Sequence, residues 1–256
     1  MLRVLLSPSK SQDYERDLMQ FSVREPSFFK ESQVLLENLR TYSVPEIEKL
    51  MSISEKLADL NFKRFLEMSA HMTIQNSRAC LQAFTGDVYS GFDLNEYSKK
   101  DYEYADKVIR IISGFYGVLK PLDFIQAYRL EMKTKLPVCK SEEQIAKNLY
   151  EFWGSQLTEY LESEGGDVVN LASKEYSAAI DFSGLSQKVL DVDFYEIKNG
   201  QPKIVAIYAK KARGVMADWI VRCRIENLQE IQKFDFNGYK FDTINSTEKH
   251  FKFVRS

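Results

Sequence analysis

Histidine is nearly missing from this 256-residue chain: only His71 and His250 occur. Cysteine is scarce too. Cys80, Cys139 and Cys223 are odd in number, far apart and form no Cys-x-x-Cys pair. That inventory argues against a zinc site and against direct thiol or iron chemistry, so no metal or cofactor is expected. Neither sign of charge dominates, with 35 basic and 37 acidic residues and a net charge of −2. There is therefore no global electrostatic case for nucleic acid, and any anion site must come from local clustering. No apolar run approaches the ~18 residues of a membrane span, and the apolar run in MLRVLLSPSK is far too short for a signal peptide. No phosphate loop, Rossmann glycine pattern, repeat or long Pro/Gly/Ser linker is present. A reduced, cytoplasmic protein with no membrane association is the expectation.

What the chain does have is apolar content of 44% and aromatic content of 13%, ample for a core. The length allows one large domain or two small ones. Strand patterns are spread over both ends, so one domain over 1–256 is expected. Leu2 to Leu6 reads as a short buried strand, ended by Ser7-Pro8-Ser9-Lys10. Such an exit is either an ordinary turn or a place where N–H groups and a cation meet an anion. Val168 to Ser173 is a second buried strand with a similar exit into Lys174. If the two are neighbours, Lys10 and Lys174 lie along one sheet edge. Lys188 to Ile197 and Lys203 to Ala209 read as strands joined through Asn199-Gly200, a strong hairpin signal. Phe234 to Asp242 and His250 to Val254 read as a closing hairpin.

Helical spacing covers Phe28 to Tyr42, a segment from Ser43 to about Met51, and a third with Leu57, Leu60, Phe62, Phe65 and Leu66. Ser43 suits an N-cap and Pro45 a first turn. Between the last two helices, Leu50 to Ala58 resembles a helix-hairpin-helix DNA-binding motif. Ser52 and Ser54 stand where that motif carries glycines, and Lys56 supplies a charge. In that geometry backbone N–H groups at a helix start grip a phosphate. The rival reading is a plain helix–helix turn.

Arg78 to Phe84 reads as a short helix, and Tyr97 to Ile112 as a longer one that leads into Arg110–Met132. Gly114 and Gly117 interrupt it and Pro121 stops it. Beyond lie Asp123, Gln126, Tyr128, Arg129 and Glu131, which make either a packed corner or a site. Gly86-Asp87-Val88-Tyr89-Ser90-Gly91 reads as a loop built for close approach. Lys140 to Gly154 includes a helix that ends in Tyr150 to Gly154, the next helix stops near Gly165-Gly166, and another runs from Val215 to Arg224. Lys210, Lys211 and Arg213 beside Gly214 are the densest positive patch, either phosphate contacts or a solvated turn. Cys139 beside Lys140, and Cys223 between Arg222 and Arg224, sit where a cation lowers a thiol pKa. Cys80 is expected to be buried.

The blocks SPSK, LMSISEKLADLN, FTGDVYSG, SGFYGVLKPLDFIQAYRLEM, NLYEFWG, NLASKEY and YAKKARGVM resemble the YaaA family, also called DUF328 or UPF0246, in order and spacing across essentially the whole chain. The resemblance implies a mixed α/β (α+β) fold of the family's own type, with a mixed sheet surrounded by helices. It also implies a helix-hairpin-helix, a positively charged cleft, and a DNA-binding role in the response to hydrogen peroxide. Carried over by residue, the hairpin matches Ser52 to Ala58, and Lys10, Arg129, Lys210, Lys211 and Arg213 fall in the blocks expected to line the cleft. Double-stranded or branched DNA, bound largely without sequence specificity, is the expected partner. The resemblance carries no reaction, so catalytic residues stay unassigned. The alternative is an enzyme whose Asp87, Tyr89, Asp123, Glu131 and Asn170 converge with cations on a phosphorylated or nucleotide-like substrate.

Overall fold

The computed structural model describes residues 1–141 and 144–255, with the side chains of Lys140 and Ser141 outside that description. Leucine-rich and β-branched runs build an eight-stranded mixed sheet. From edge to edge it runs Lys240–Phe241, His250–Arg255, Val189–Lys198, Asp167–Asn170, Leu2–Leu6, Ile109–Ser113 and Gly117–Leu119, with Gln201–Lys203 hairpinned onto Val189–Lys198. The five inner strands are parallel, and the outer pairings are antiparallel. Parallel strands are covered on both faces and read as continuous apolar runs; Val4, Leu5 and Leu6 are all buried. The main helices around the sheet are Phe29–Arg40, Val44–Met51, Glu55–Glu67, Lys99–Val108, Gln156–Glu164 and Ala206–Arg222. One contiguous apolar core joins strands and helices. The mixed α/β class is the one expected.

Several segments differ from their sequence reading. The helix read over Arg78 to Phe84 is only Cys80–Ala83 between two-residue strands, the helix within Lys140 to Gly154 is only Leu149–Trp153, and the strand read over Phe234 to Asp242 is only Lys240–Phe241. Two further differences bear on the site. The helix expected to run from Tyr97 through Ile112 stops at Val108, and Ile109–Ser113 is a fully buried strand. Ile109, Ile111 and Ile112 are β-branched, and a strand buried on both faces has no period that separates it from a helix. Gly114 then turns the chain so tightly that a Cβ there would lie 2.6 Å from the Leu130 carbonyl oxygen. The second correction concerns Lys203 to Ala209. The strand is only Gln201–Lys203, and the helix expected from Val215 begins already at Ala206. Ala206, Ala209 and Ala212 favour the helix, so Lys210, Lys211 and Arg213 lie on helical turns and not in a loop.

The Asn199-Gly200 turn forms as expected, with both residues at positive φ. Leu2–Leu6 and Asp167–Asn170 are register neighbours, so the loops carrying Lys10 and Lys174 leave adjacent strands at the carboxyl edge. Here the strand order reverses: the chain passes to Ile109–Ser113 on one side of Leu2–Leu6 and later to Asp167–Asn170 on the other. Crevices outside the carboxyl ends at such a reversal are where open α/β sheets place ligands.

Candidate functional site

The crevice at that reversal is filled first by its own polar groups. The Ser7 hydroxyl donates to Ser173 Oγ at 3.3 Å and accepts from the Ser173 N–H at 2.9 Å. Tyr89 donates its phenol to the Ser7 carbonyl at 2.9 Å, and burial pushes its pKa well up. Past Ser9, whose hydroxyl donates to the Thr85 carbonyl, Lys10 swings out to Glu131 at 2.8 Å.

Glu131 is a hub. It is 9% exposed and pairs with Lys10, with Arg129 at 3.0 Å and with Lys133 at 3.5 Å. Burial pushes its carboxyl up, but the hydrogen bonds and charges of Lys10 and then Arg129 outweigh burial and hold it below its ordinary value. Lys133 also reaches Glu175 at 3.9 Å. Arg129 keeps a buried Nε with no hydrogen-bond partner.

A groove of about 810 Å³ opens beside this hub. It is lined by Lys10, Lys49, Arg129, Lys133 and Lys135, with only Glu46 and Glu131 as acids. Tyr42, Leu50, Met51 and Pro137 form its apolar part. Its far wall is the end of helix Val44–Met51, whose start is set by a capping box between Ser43 and Glu46. That helix ends on Ser52 in the left-handed region (φ 51, ψ 53), where the sequence comparison with a glycine-bearing hairpin placed a serine. Ser54 is extended (φ −70, ψ 154) and starts helix Glu55–Glu67 without a side-chain cap. Ser52 lines the groove, whereas Ser54 and Lys56 lie outside its lining.

The structure thus brings Lys10, Ser52, Arg129 and Glu131 together. Lys210 stands next door: it pairs with Asp87 at 3.8 Å, and a Cβ at the neighbouring Gly86 would lie 3.0 Å from Ser9 Oγ. Lys211 is exposed on the same helix. Arg213 is turned inward to Asp193 at 3.4 Å, and Asp193 also meets His250 at 3.1 Å. Asn170 is occupied too, donating to Asp191 at 2.8 Å and accepting from the Ala172 N–H. Asp123 is elsewhere. It accepts from Arg24 at 2.6 Å beside Asp106, which precedes strand Ile109–Ser113 at the opposite edge of the sheet. Burial raises its pKa to about 6 against the opposing charge of Arg24. Asp123 therefore stands apart from the other acids and the phenol singled out with it.

Sequence reasoning missed Lys49, Lys133 and Lys135. Lys133-Thr134-Lys135 directly follows Glu131, so its charge was readable, but its place opposite helix Val44–Met51 was not. Cys80 is buried and its thiol is pushed up by that burial, as suits an inert residue. Cys139 and Cys223 are exposed, and the side chain of Lys140 lies outside the described residues. Arg222 and Arg224 are engaged by Asp218 and Asp101. Among the described residues no three His, Cys, Asp or Glu side chains gather as metal ligands, and no helix is long and apolar enough to cross a membrane.

Comparison with known proteins finds relatives that span nearly the whole chain. A 43% identical relative, a UPF0246 protein of Aliivibrio fischeri (strain ES114), aligns over 98% of this chain and 97% of its own length. A UPF0246 protein of Flavobacterium johnsoniae is 41% identical over 99% of this chain and all of its own. The family profile described as peroxide stress protein YaaA matches residues 2–245, and the chain belongs to that family.

Proposed function

We propose that this protein acts in the response to hydrogen peroxide by binding the DNA backbone in the basic groove, largely without reading sequence. The observation that carries the reading is the charge imbalance of one groove: five cations against two carboxylates in a chain whose net charge is −2. Ser52, in the turn between two helices, lines one end of the groove, and just outside that lining the peptide N–H groups at the start of Glu55–Glu67 have no side-chain cap. Uncapped N–H groups beside cations suit phosphate oxygens. Ser52, Ser54 and Lys56 contribute the turn in a helix-hairpin-helix manner, and Lys10 and Arg129 the opposite wall. Lys210 and Lys211 extend the basic surface along the next helix. The rival enzyme reading loses one of its three carboxylates, because Asp123 sits at the other sheet edge with Arg24.

The test is a fluorescence-anisotropy titration of a labelled duplex and a branched junction at about 50 mM salt. Lys49 and Lys135 are exposed, so the Lys49→Glu/Lys135→Glu variant keeps its fold by circular dichroism. It is expected to lose at least about tenfold in affinity, since two phosphate contacts become repulsions. Affinity within twofold of wild type would remove the groove as the interface.

A further inference from the structure

The hairpin around Asn199-Gly200 is the furthest excursion of the sheet. Val189–Lys198 pairs with Asp167–Asn170 only as far as Asp191 and then runs on to Lys198. At about 3.3 Å per residue, its tip projects roughly 20 Å beyond the carboxyl end of Asp167–Asn170, with His250–Arg255 alongside as far as Glu196. That is the edge that carries the basic groove. The arm leads straight into helix Ala206–Arg222, whose Lys210 touches Asp87 beside the Lys10 loop.

The arm has two unlike faces. Ile197 is the register partner of Pro202, while Glu196 pairs with Lys203 and Lys198 with Gln201. Side chains alternate across a ribbon, so Ile197 and Pro202 share one face and Lys198 and Lys203 the other. The apolar residues here are unusually open to water: Ile197 is 38% exposed, Ile204 49%, Ile207 48% and Tyr208 42%. The arm's acid is already spent, since Glu196 holds Arg255 at 3.0 Å and accepts from the Tyr239 phenol. Arg255 also lies over the Tyr208 ring at 4.9 Å, which fixes that ring in place. Among the described residues no ion pair is made by Lys198, Lys203 or Lys211. A ribbon with uncompensated lysines on one face and bare isoleucines on the other matches a polyanion that also offers apolar surface. Duplex DNA is such a partner when a base step is opened from the minor groove.

We propose that this arm is a second DNA contact, in which Lys198 and Lys203 meet phosphates while Ile197, Pro202 and Ile204 wedge at a base step and bend the duplex. This inference rests on the DNA-binding reading of the groove. A duplex labelled at both ends with a donor and an acceptor dye separates the two. Wild-type protein is expected to raise energy transfer on binding. Ile197→Ser/Ile204→Ser should bind with an unchanged salt slope and lose that rise. Lys198→Gln/Lys203→Gln should lower the slope of log Kd against log salt by about 2. All four sites are exposed, and circular dichroism confirms the fold. If both arm variants bend and bind as wild type while Lys49→Glu/Lys135→Glu loses binding, the arm inference is overturned and the groove stands. If the groove variant binds as wild type while the arm variants do not, the groove reading falls and the arm remains. Wild-type protein that binds no duplex at low salt overturns both.

Discussion

Glu131 sets how much of the groove's charge is on offer. One buried carboxylate engages Lys10, Arg129 and Lys133, so part of their field is spent inside the protein. Glu131→Gln keeps the shape and removes the negative charge. Duplex affinity should then rise by roughly fivefold, about 1 kcal/mol, measured by anisotropy at fixed salt; an unchanged or weaker Kd would show that these cations do not face DNA. Asp123 offers a prediction of the opposite electrostatic kind. It is 2% exposed, and burial raises its pKa from 3.8 to about 6. Between those values the folded state holds a proton that the unfolded chain has released. Falling pH through that window therefore adds stability from this group, by about 2–3 kcal/mol in all. Asp123→Asn abolishes the contribution. Denaturant unfolding at pH 7 and at pH 4 should show wild type gaining on the variant by that amount as the pH drops, and a constant difference would mean that Asp123 titrates normally.

Ser52 ends one helix of the groove wall in a conformation that glycine adopts without cost. A non-glycine residue at positive φ carries strain of about 1–2 kcal/mol, partly offset because glycine loses more chain entropy on folding. Ser52→Gly should therefore stabilise the protein by about 0.5–1 kcal/mol, read as a higher urea midpoint at unchanged slope. A lower midpoint would mean that the serine hydroxyl supports the turn. The turn itself was legible, because Ser43, Pro45 and Glu46 mark the start of its first helix and the match to a glycine-bearing motif marked its end. Ile109–Ser113 was not legible. Its run of isoleucines is buried on both faces, and such a run carries no period that tells strand from helix. The helix start at Ala206 was hidden by the hairpin before it: an Asn-Gly turn announces two strands, but the second lasts only from Gln201 to Lys203. The same misreading placed Lys210 and Lys211 in a turn when they stand on a helix beside Asp87.

For the molecule as a whole, composition and site disagree in an informative way. Each groove cation could be named in the chain as a lysine or arginine, yet Lys10, Lys49 and Arg129 are far apart in sequence and meet only in the fold, where the loop after Leu2–Leu6, the end of helix Val44–Met51 and the segment after Ile109–Ser113 line one groove. A net charge of −2 then says nothing about the local field. The two descriptions predict different salt behaviour. A protein that met DNA with its average surface would bind weakly and with almost no salt dependence. Binding through the groove's five cations releases the counterions of the phosphates they neutralise, so the groove's share of the slope of log Kd against log salt has a ceiling of about 4–5, reached only when none of the five is engaged within the protein. Glu131 already engages three of those cations, so its removal should steepen the slope of the Glu131→Gln variant above that of wild type, while Asp123→Asn at the opposite edge should leave it unchanged. Titrations at four salt concentrations between about 50 and 200 mM distinguish the cases over the range where such slopes are read. A slope near 1 for wild type would mean that the groove's charge is consumed internally and that DNA, if bound, is held elsewhere.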